Sequence, residues 1–277
     1  MHIARRQAAT ATESEPERVS EVPEGWALCE MRDVARIVGG GTPRTDDPTN
    51  FSDEATGYPW ITPADLSGHS EMYISRGRRF LSEKGLRSSS ATLLPKGTVL
   101  FSSRAPVGYV AIANREVATN QGFRSFICAD GILPEYIYYY LIHARPIAEG
   151  LASGTTFLEI SGTNAGRIPL LVPPNAEQKR IVARIDELLT HVVAARDHLR
   201  RASGTLTIEN HAEATAAKVD RLTRSILSQA FRGELVPTEA TLTRIESRPY
   251  EPASVLLARL KGNRGEKTQT HRREKEN

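Results

Sequence analysis

The stretch Pro174–Leu189, PNAEQKRIVARIDELL, opens on a helix-start signal and continues as an amphipathic helix. Pro173 and Pro174 bar an earlier start, Asn175 reads as the N-cap, and Gln178 three residues on completes a capping box. Ile181, Ile185, Leu188, Val192, Ala195, Leu199, Ala202 and Leu206 then recur at alternating spacings of four and three. A helix lying along its own domain is the plainer alternative, but a seam sustained this long is the pattern of a helix packed on another helix. Lys179, Arg184, Asp186, Glu187, Arg196 and Asp197 fall between the seam positions, as a solvated face requires. Ser203-Gly204-Thr205 interrupts the stripe, which resumes in a new phase at Ala212, Thr215, Val219, Leu222 and Ile226 and runs to about Phe231. The two segments form either one stuttered helix or a hairpin. The seam partner is the second segment, a second copy of the chain, or both.

Upstream the pattern is mixed and β-rich. Trp26 and Leu28 read as docking anchors, and Met31 to Val38 as a short helix or strand. Gly39-Gly40-Gly41 before Thr42-Pro43-Arg44 reads as a flexible turn, because Gly permits backbone angles other residues avoid. YPWIT (58–62), GTVLFSS (97–103) and VGYVAIA (107–113) are strand candidates, the last two joined by a turn at Arg104-Ala105-Pro106. TNQGFRSFICA (119–129) alternates, with Phe123, Ser125 and Ile127 on one face and Arg124, Phe126 and Cys128 on the other. LPEYIYYYLIHARPIAEGLA (133–152) reads as helical, held to the sheet by Ile137, Leu141 and Ile147. The expected class is therefore α+β, a mixed β-rich domain followed by long coiled-coil-like helices. Its divisions are a disordered leader at 1–22, the β-rich domain at 23–172, the helical region at 173–235, and an extension at 236–277 whose basic end is disordered.

Length and composition suit a soluble globular protein, with 277 residues, 39% apolar and 25% charged. The formal net charge is only +3, so its distribution matters more than its total. Arg76, Arg78, Arg79, Lys84 and Arg87 face a single acid, Glu83, within the window 76–87, which makes a phosphate-facing patch or a solvated loop. Cys29 and Cys128 have no CxxC spacing, which excludes a disulfide framework and suits a reducing cytoplasm. No apolar run approaches the ~20 residues of a membrane span, and nothing at the N-terminus resembles a secretory signal.

Enzymatic signatures are absent. There is no GxxxxGK[ST] loop, no GxGxxG after a strand and no [DN]PP[YF]; GNRGEKT (262–268) and VPPN (172–175) have the wrong spacing or residues. The histidines are scattered, and Asp46-Asp47 lies in a Pro/Thr-rich loop with no basic partner in fixed register. What is present suits nucleic acid, since Arg, Asn and Gln offer donor forks to phosphates and base edges. The candidates are Arg44, Thr45, Arg76, Arg78, Arg79, Lys84, Arg87, Arg104, Asn120, Gln121, Thr155 and Thr156. The competing reading for TNQG (119–122) and SGTT (153–156) is local turn satisfaction.

GGGTPRT, YPWITPADL, LPKGTVLFSSRAPVGYVAI, TNQGF, YYYL, SGTTFLEIS, IPLLVPPNAEQKRIVARID and LTRSILSQAFRGELVP occur in this order. Together they resemble the specificity subunit of type I restriction-modification systems, in a form with one target recognition domain. The resemblance implies a non-catalytic subunit that reads double-stranded DNA through the region from about Gly39 to Ser161. It implies that the helices fix spacing and dock methyltransferase subunits. S-adenosylmethionine, ATP and magnesium would be used by partner subunits, the restriction subunit among them, with no cofactor on this chain. Motifs constant in the family cannot encode a variable target, so base-reading side chains are expected between Asp65 and Thr92. The usual subunit has two recognition domains and two helical regions; this chain has room for one of each, so a dimer would read an inverted repeat. The alternatives are a methyltransferase or nuclease fragment, and a helical adaptor with no role on DNA.

Overall fold

The computed structural model describes residues 22–154, 158–202 and 208–262. Strand β1 (Ala27–Glu30) leads through the one-turn helix α1 (Met31–Val34) into β2 (Ala35–Gly39), so the segment 31–38 is helix first and strand second. A 3-10 turn at Pro48–Asn50 precedes β3 (Phe51–Ser52), β4 (Tyr58–Ile61), α2 (Pro63–Leu66), β5 (Tyr73–Ile74), β6 (Arg79–Leu81) and α3 (Glu83–Arg87). Then follow β7 (Val99–Phe101), β8 (Val110–Ala113), β9 (Ala118–Thr119) and β10 (Arg124–Cys128).

A five-stranded sheet has the order β2-β10-β7-β8-β5, antiparallel except for the parallel β5–β8 pair. Its strand β10 shows why both alternating sets carry apolar residues. Phe126 packs into the large core with Val99, Phe101 and Ile137, while Ile127, with Phe123 just before the strand, packs on a second core with Ile61, Leu94 and Leu100. A strand covered on both faces has no polar side to spare. A smaller sheet, β3-β6-β4-β9, carries the third core around Trp60 and Leu81.

Helix α4 (Pro134–His143) covers the large core with Ile137 and Leu141, and α5 (Arg145–Leu151) follows after a break at Ala144. That break turns Ile147 outward to 41% exposure, so it is not the sheet contact its sequence spacing suggests. Leu28 is likewise 55% exposed, leaving Trp26 as the anchor of that pair. The short helix α6 (Gly162–Gly166) leads to β11 (Pro169–Val172), which pairs antiparallel with β1 and so closes the α/β part on itself.

Helices α7 (Asn175–Ala202) and α8 (Ile208–Phe231) pack against each other as two helices, rather than running on as one stuttered helix. The capping box expected at Asn175 does not form. Pro174 supplies the carbonyl that takes the first helical bonds from the amides of Glu177 and Gln178, and Asn175 donates instead to Gly131 O at 3.0 Å. The Gln178 amide binds Leu133 N, Gly131 O and Pro173 O, all outside the helix. Beyond α8, α9 (Glu239–Glu246) and a helical stretch at 253–262 fold back, and Ala253, Leu256, Leu257 and Leu260 complete the large core.

Candidate nucleic-acid interface

The glycine run, the Thr62-Pro63 turn and the TNQG turn meet at one end of the sheets. Gly41 donates to Thr119 O at 2.9 Å, Asn120 donates to Ile61 O at 3.0 Å, and the Trp60 indole donates to Gly41 O at 3.1 Å. A Cβ on Gly40 would lie 2.0 Å from Asn120 O, and one on Gly41 would lie 2.2 Å from Ala91 N. These glycines are therefore required by close backbone approach, not by an unusual backbone angle. Asn120 Oδ1 accepts from Gly122 N at 2.9 Å, and Thr42 hydrogen-bonds Gln121 Oε1. Within the TNQG turn only the Asn120 side-chain oxygen is used locally; the Gln121 oxygen is taken by Thr42, and the buried Thr119 hydroxyl has no hydrogen-bond partner among the described residues. Thr62, Pro63, Arg104, Tyr109, Asn120 and Gly122 line an open cleft of about 430 Å³ at this end.

Arg104 stands at the cleft on the β7–β8 turn. Its guanidinium pairs with Glu159 at 3.4 Å, and Arg124 pairs with the other carboxylate oxygen at 3.1 Å. Glu159 also forms a backbone bridge with Ser153, which ties its backbone to that residue beside both arginines. Thr155 and Thr156 lie outside the described residues.

The segment that looked basic is neutralised by its own fold. Between Arg44 and Arg87 the chain holds six basic and seven acidic side chains. The acids from the 46–65 stretch are brought over the cations that follow. Arg76 pairs with Glu54, Arg78 approaches Asp65 at 3.9 Å, Lys84 meets Asp47 at 2.9 Å and Arg87 meets Glu83 at 2.6 Å. Arg44 binds Asp46 through Nε and Nη2 at 3.3 and 2.9 Å, with exposed Thr45 between them. Asp46 and Asp47 therefore do have basic partners in fixed register, contrary to the sequence expectation. The Arg44 guanidinium holds the Asp46 carboxyl below its ordinary range, and hydrogen bonds from Thr49 and Lys84 pull Asp47 down to about 2. Arg79 is set differently. Its guanidinium lies 3.4 Å over the Phe51 ring and 5.8 Å from that of Trp60, a stack that fixes its orientation.

The helical seam divides in two. Ile181 and Ile185 are fully buried in the large core. Leu188, Val192, Val219, Ile226 and the 44%-exposed Leu222 instead line an open groove of about 670 Å³ between α7 and α8. The side chain of Leu199 lies outside the described residues, as does Leu206.

The root of this hairpin contains residues that no sequence pattern singles out. Glu177, in the first turn of α7, is fully buried; its oxygens accept from Trp26 Nε1 at 2.8 Å and from Glu239 N at 2.7 Å. Glu239 binds Arg180 at 2.6 Å and Arg248 at 2.7 Å. Burial raises the Glu177 carboxyl above its ordinary range against the pull of these donors. An acid in a first turn normally faces solvent and the helix dipole, and only the long-range contacts reveal this one as a hub.

Among the described residues no cluster of His, Cys, Asp and Glu could hold a metal ion, and no helix is long and apolar enough to cross a membrane. Residues 23–195 match the family model of the type I restriction modification DNA specificity domain. The MjaIX type I restriction enzyme specificity subunit of Methanocaldococcus jannaschii is 38% identical over 173 residues, covering 61% of this chain and 39% of that protein. The HindI specificity subunit of Haemophilus influenzae is 24% identical, covering 62% and 38%. Among solved structures, the HsdS subunit from Thermoanaerobacter tengcongensis superposes with a TM-score of 0.53 at 26% identity, covering 79% of this chain and 48% of that one. A chain from a structure of complex assembly in the type I restriction-modification system gives 0.55 at 28% identity, covering 79% and 49%. The chain spans about two fifths of the length of these curated relatives and about half that of the solved chains. With the family model matched over more than half of its length, the chain belongs to the type I restriction-modification specificity subunit family.

Proposed function

We propose that this chain is a DNA-recognition subunit that reads one half of a bipartite target and docks methyltransferase subunits through its helical hairpin. The observation that carries this reading is the convergence of three separate loops, at Thr62, Arg104 and Asn120, around one open cleft, with the glycine run packed behind the last of them. Amide, hydroxyl and guanidinium groups held on a rigid sheet end are what base and phosphate contacts need. On this reading Arg104 and Asn120 act from the cleft, with Gln121 beside Asn120, while Arg79 acts from β6, Lys84 and Arg87 from α3, and Arg44, Thr45, Arg76 and Arg78 from the connecting loops. The hairpin has its root in the same core as the sheet, so a partner held on it keeps a fixed distance from bound DNA.

Family membership favours this role over catalysis, and S-adenosylmethionine chemistry is assigned to a partner. Mapping methylated positions in the host genome with and without the gene tests it. The expected result is the loss of one sequence motif on deletion. An unchanged methylome, or methyl transfer to DNA by the purified chain alone, overturns it.

A further inference from the structure

The acids between Asp46 and Glu83 divide by whether they also hold the local backbone, as Asp47 and Asp65 do beside their cations Lys84 and Arg78. Asp47, Asp53 and Asp65 hold the backbone: Asp47 accepts from Thr49 N, Asp53 from Thr56 N and Asp65 from Thr62 N. Asp46, Glu54 and Glu83 instead meet arginines, Arg44, Arg76 and Arg87, in pairs whose six side chains are 55–81% exposed. Exposed pairs of this kind contribute little to stability, about 1.4- to fivefold each in an equilibrium constant. Two of them join residues close in sequence, whereas Arg76 and Glu54 are 22 residues apart and are brought together by the strands.

Building on the DNA-recognition reading above, we infer that Asp46, Glu54 and Glu83 are specificity-determining residues that restrain these arginines from binding DNA of arbitrary sequence. A phosphate approaching Arg44, Arg76 or Arg87 must displace a carboxylate and then remain beside it, which offsets most of the attraction. Sequence-independent affinity for DNA is almost wholly this phosphate term. Base contacts at a correct site add free energy that an arbitrary duplex does not supply, so the penalty falls hardest on the wrong DNA. Specificity is a difference between affinities, and a built-in repulsion enlarges it.

The test compares the full chain with a triple variant, Asp46→Asn, Glu54→Gln and Glu83→Gln, on a random-sequence duplex and on heparin across a salt series. A matched control, Glu187→Gln, Glu234→Gln and Glu251→Gln, removes three exposed acids that pair with Arg184, Arg232 and Arg259 on the helical part. The first triple is expected to bind random duplex about threefold or more tightly at low salt. Its log–log salt slope should steepen by up to ~0.9 for each phosphate newly contacted. The control should stay within about twofold of the parent. Equal gains in both triples mean that net charge alone acts, and the inference falls. No gain in the first triple, while Arg44→Ala, Arg76→Ala and Arg87→Ala together weaken duplex binding, overturns the restraint but leaves the DNA face standing. If neither set changes duplex or heparin binding, the DNA-facing role of this segment falls with it.

Discussion

Glu239 shows how much a single buried carboxylate can hold. It is 2% exposed and lies between Arg180 of α7 and Arg248 beyond α9, so it fastens the turn after α9 to the root of the long helix. Burial alone would raise its pKa, but the two guanidiniums outweigh burial and hold it below the ordinary 4.5. A depressed acid contributes stability that is fully present above its unfolded value and is lost as pH falls through the folded value. Glu239→Gln should therefore lower the melting temperature at pH 7, by a stability loss of about 2 kcal/mol. The gap from the parent should close as the pH drops well below 4.5; a gap that persists there would mean packing, not charge, is responsible. Gly40 gives a sharper case. Gly40→Ala forces a Cβ onto the Asn120 carbonyl and should cost about 3 kcal/mol or more. Gly39→Ala, whose nearest neighbour is the Arg124 guanidinium at 3.7 Å, should be tolerated. The sequence marked all three glycines alike, because crowding between distant backbones leaves no local signature.

The seam between elements rests on aromatic rings. Phe231, at the end of α8, has Tyr136, Tyr140 and His143 of α4 at ring-centroid distances of 5.4, 5.1 and 5.2 Å. Edge-on and tilted contacts of this kind add to the area buried, and they join the YYYL motif to the AFRGEL motif across the chain. Phe231→Ala should cost about 3–5 kcal/mol in chemical denaturation. Leu222→Ala, half-exposed in the groove, should cost far less, about 1 kcal/mol. Comparable losses would show that α8 is held along its whole length. The long helices were legible because a period sustained over many residues survives any tertiary context. Short strands such as β3, β5 and β9 have two residues each and exist only through their neighbours, so no period could announce them. The candidate site was legible as loops and residue types. Its electrostatics were not, since the acids that neutralise Arg76 and Lys84 lie 22 and 37 residues away.

At the scale of the molecule, one sheet end and one hairpin leave an apolar groove unfilled. Leu188, Val192, Val219 and Ile226 are half-buried along it, with Leu235 near its foot, a state between solvent face and closed seam. Two hairpins related by a two-fold axis would close such grooves on each other, and the same symmetry would present two identical reading surfaces to DNA. The target would then be an inverted repeat, its spacing set by the helices. Placing Asp at Leu188 and Val192 separates this arrangement from a hairpin that is complete by itself. In the single chain both side chains border open solvent, so the new carboxylates remain hydrated and the melting temperature should change little. In an assembly that covers the groove they are buried without partners, costing several kcal/mol per ion even after relaxation. Light scattering should therefore find that the parent associates, with itself or with a co-expressed methyltransferase subunit, and that the double variant does not. An unchanged assembly with both aspartates in place would move docking to another surface, and the groove would then be only the splayed end of a two-helix pair.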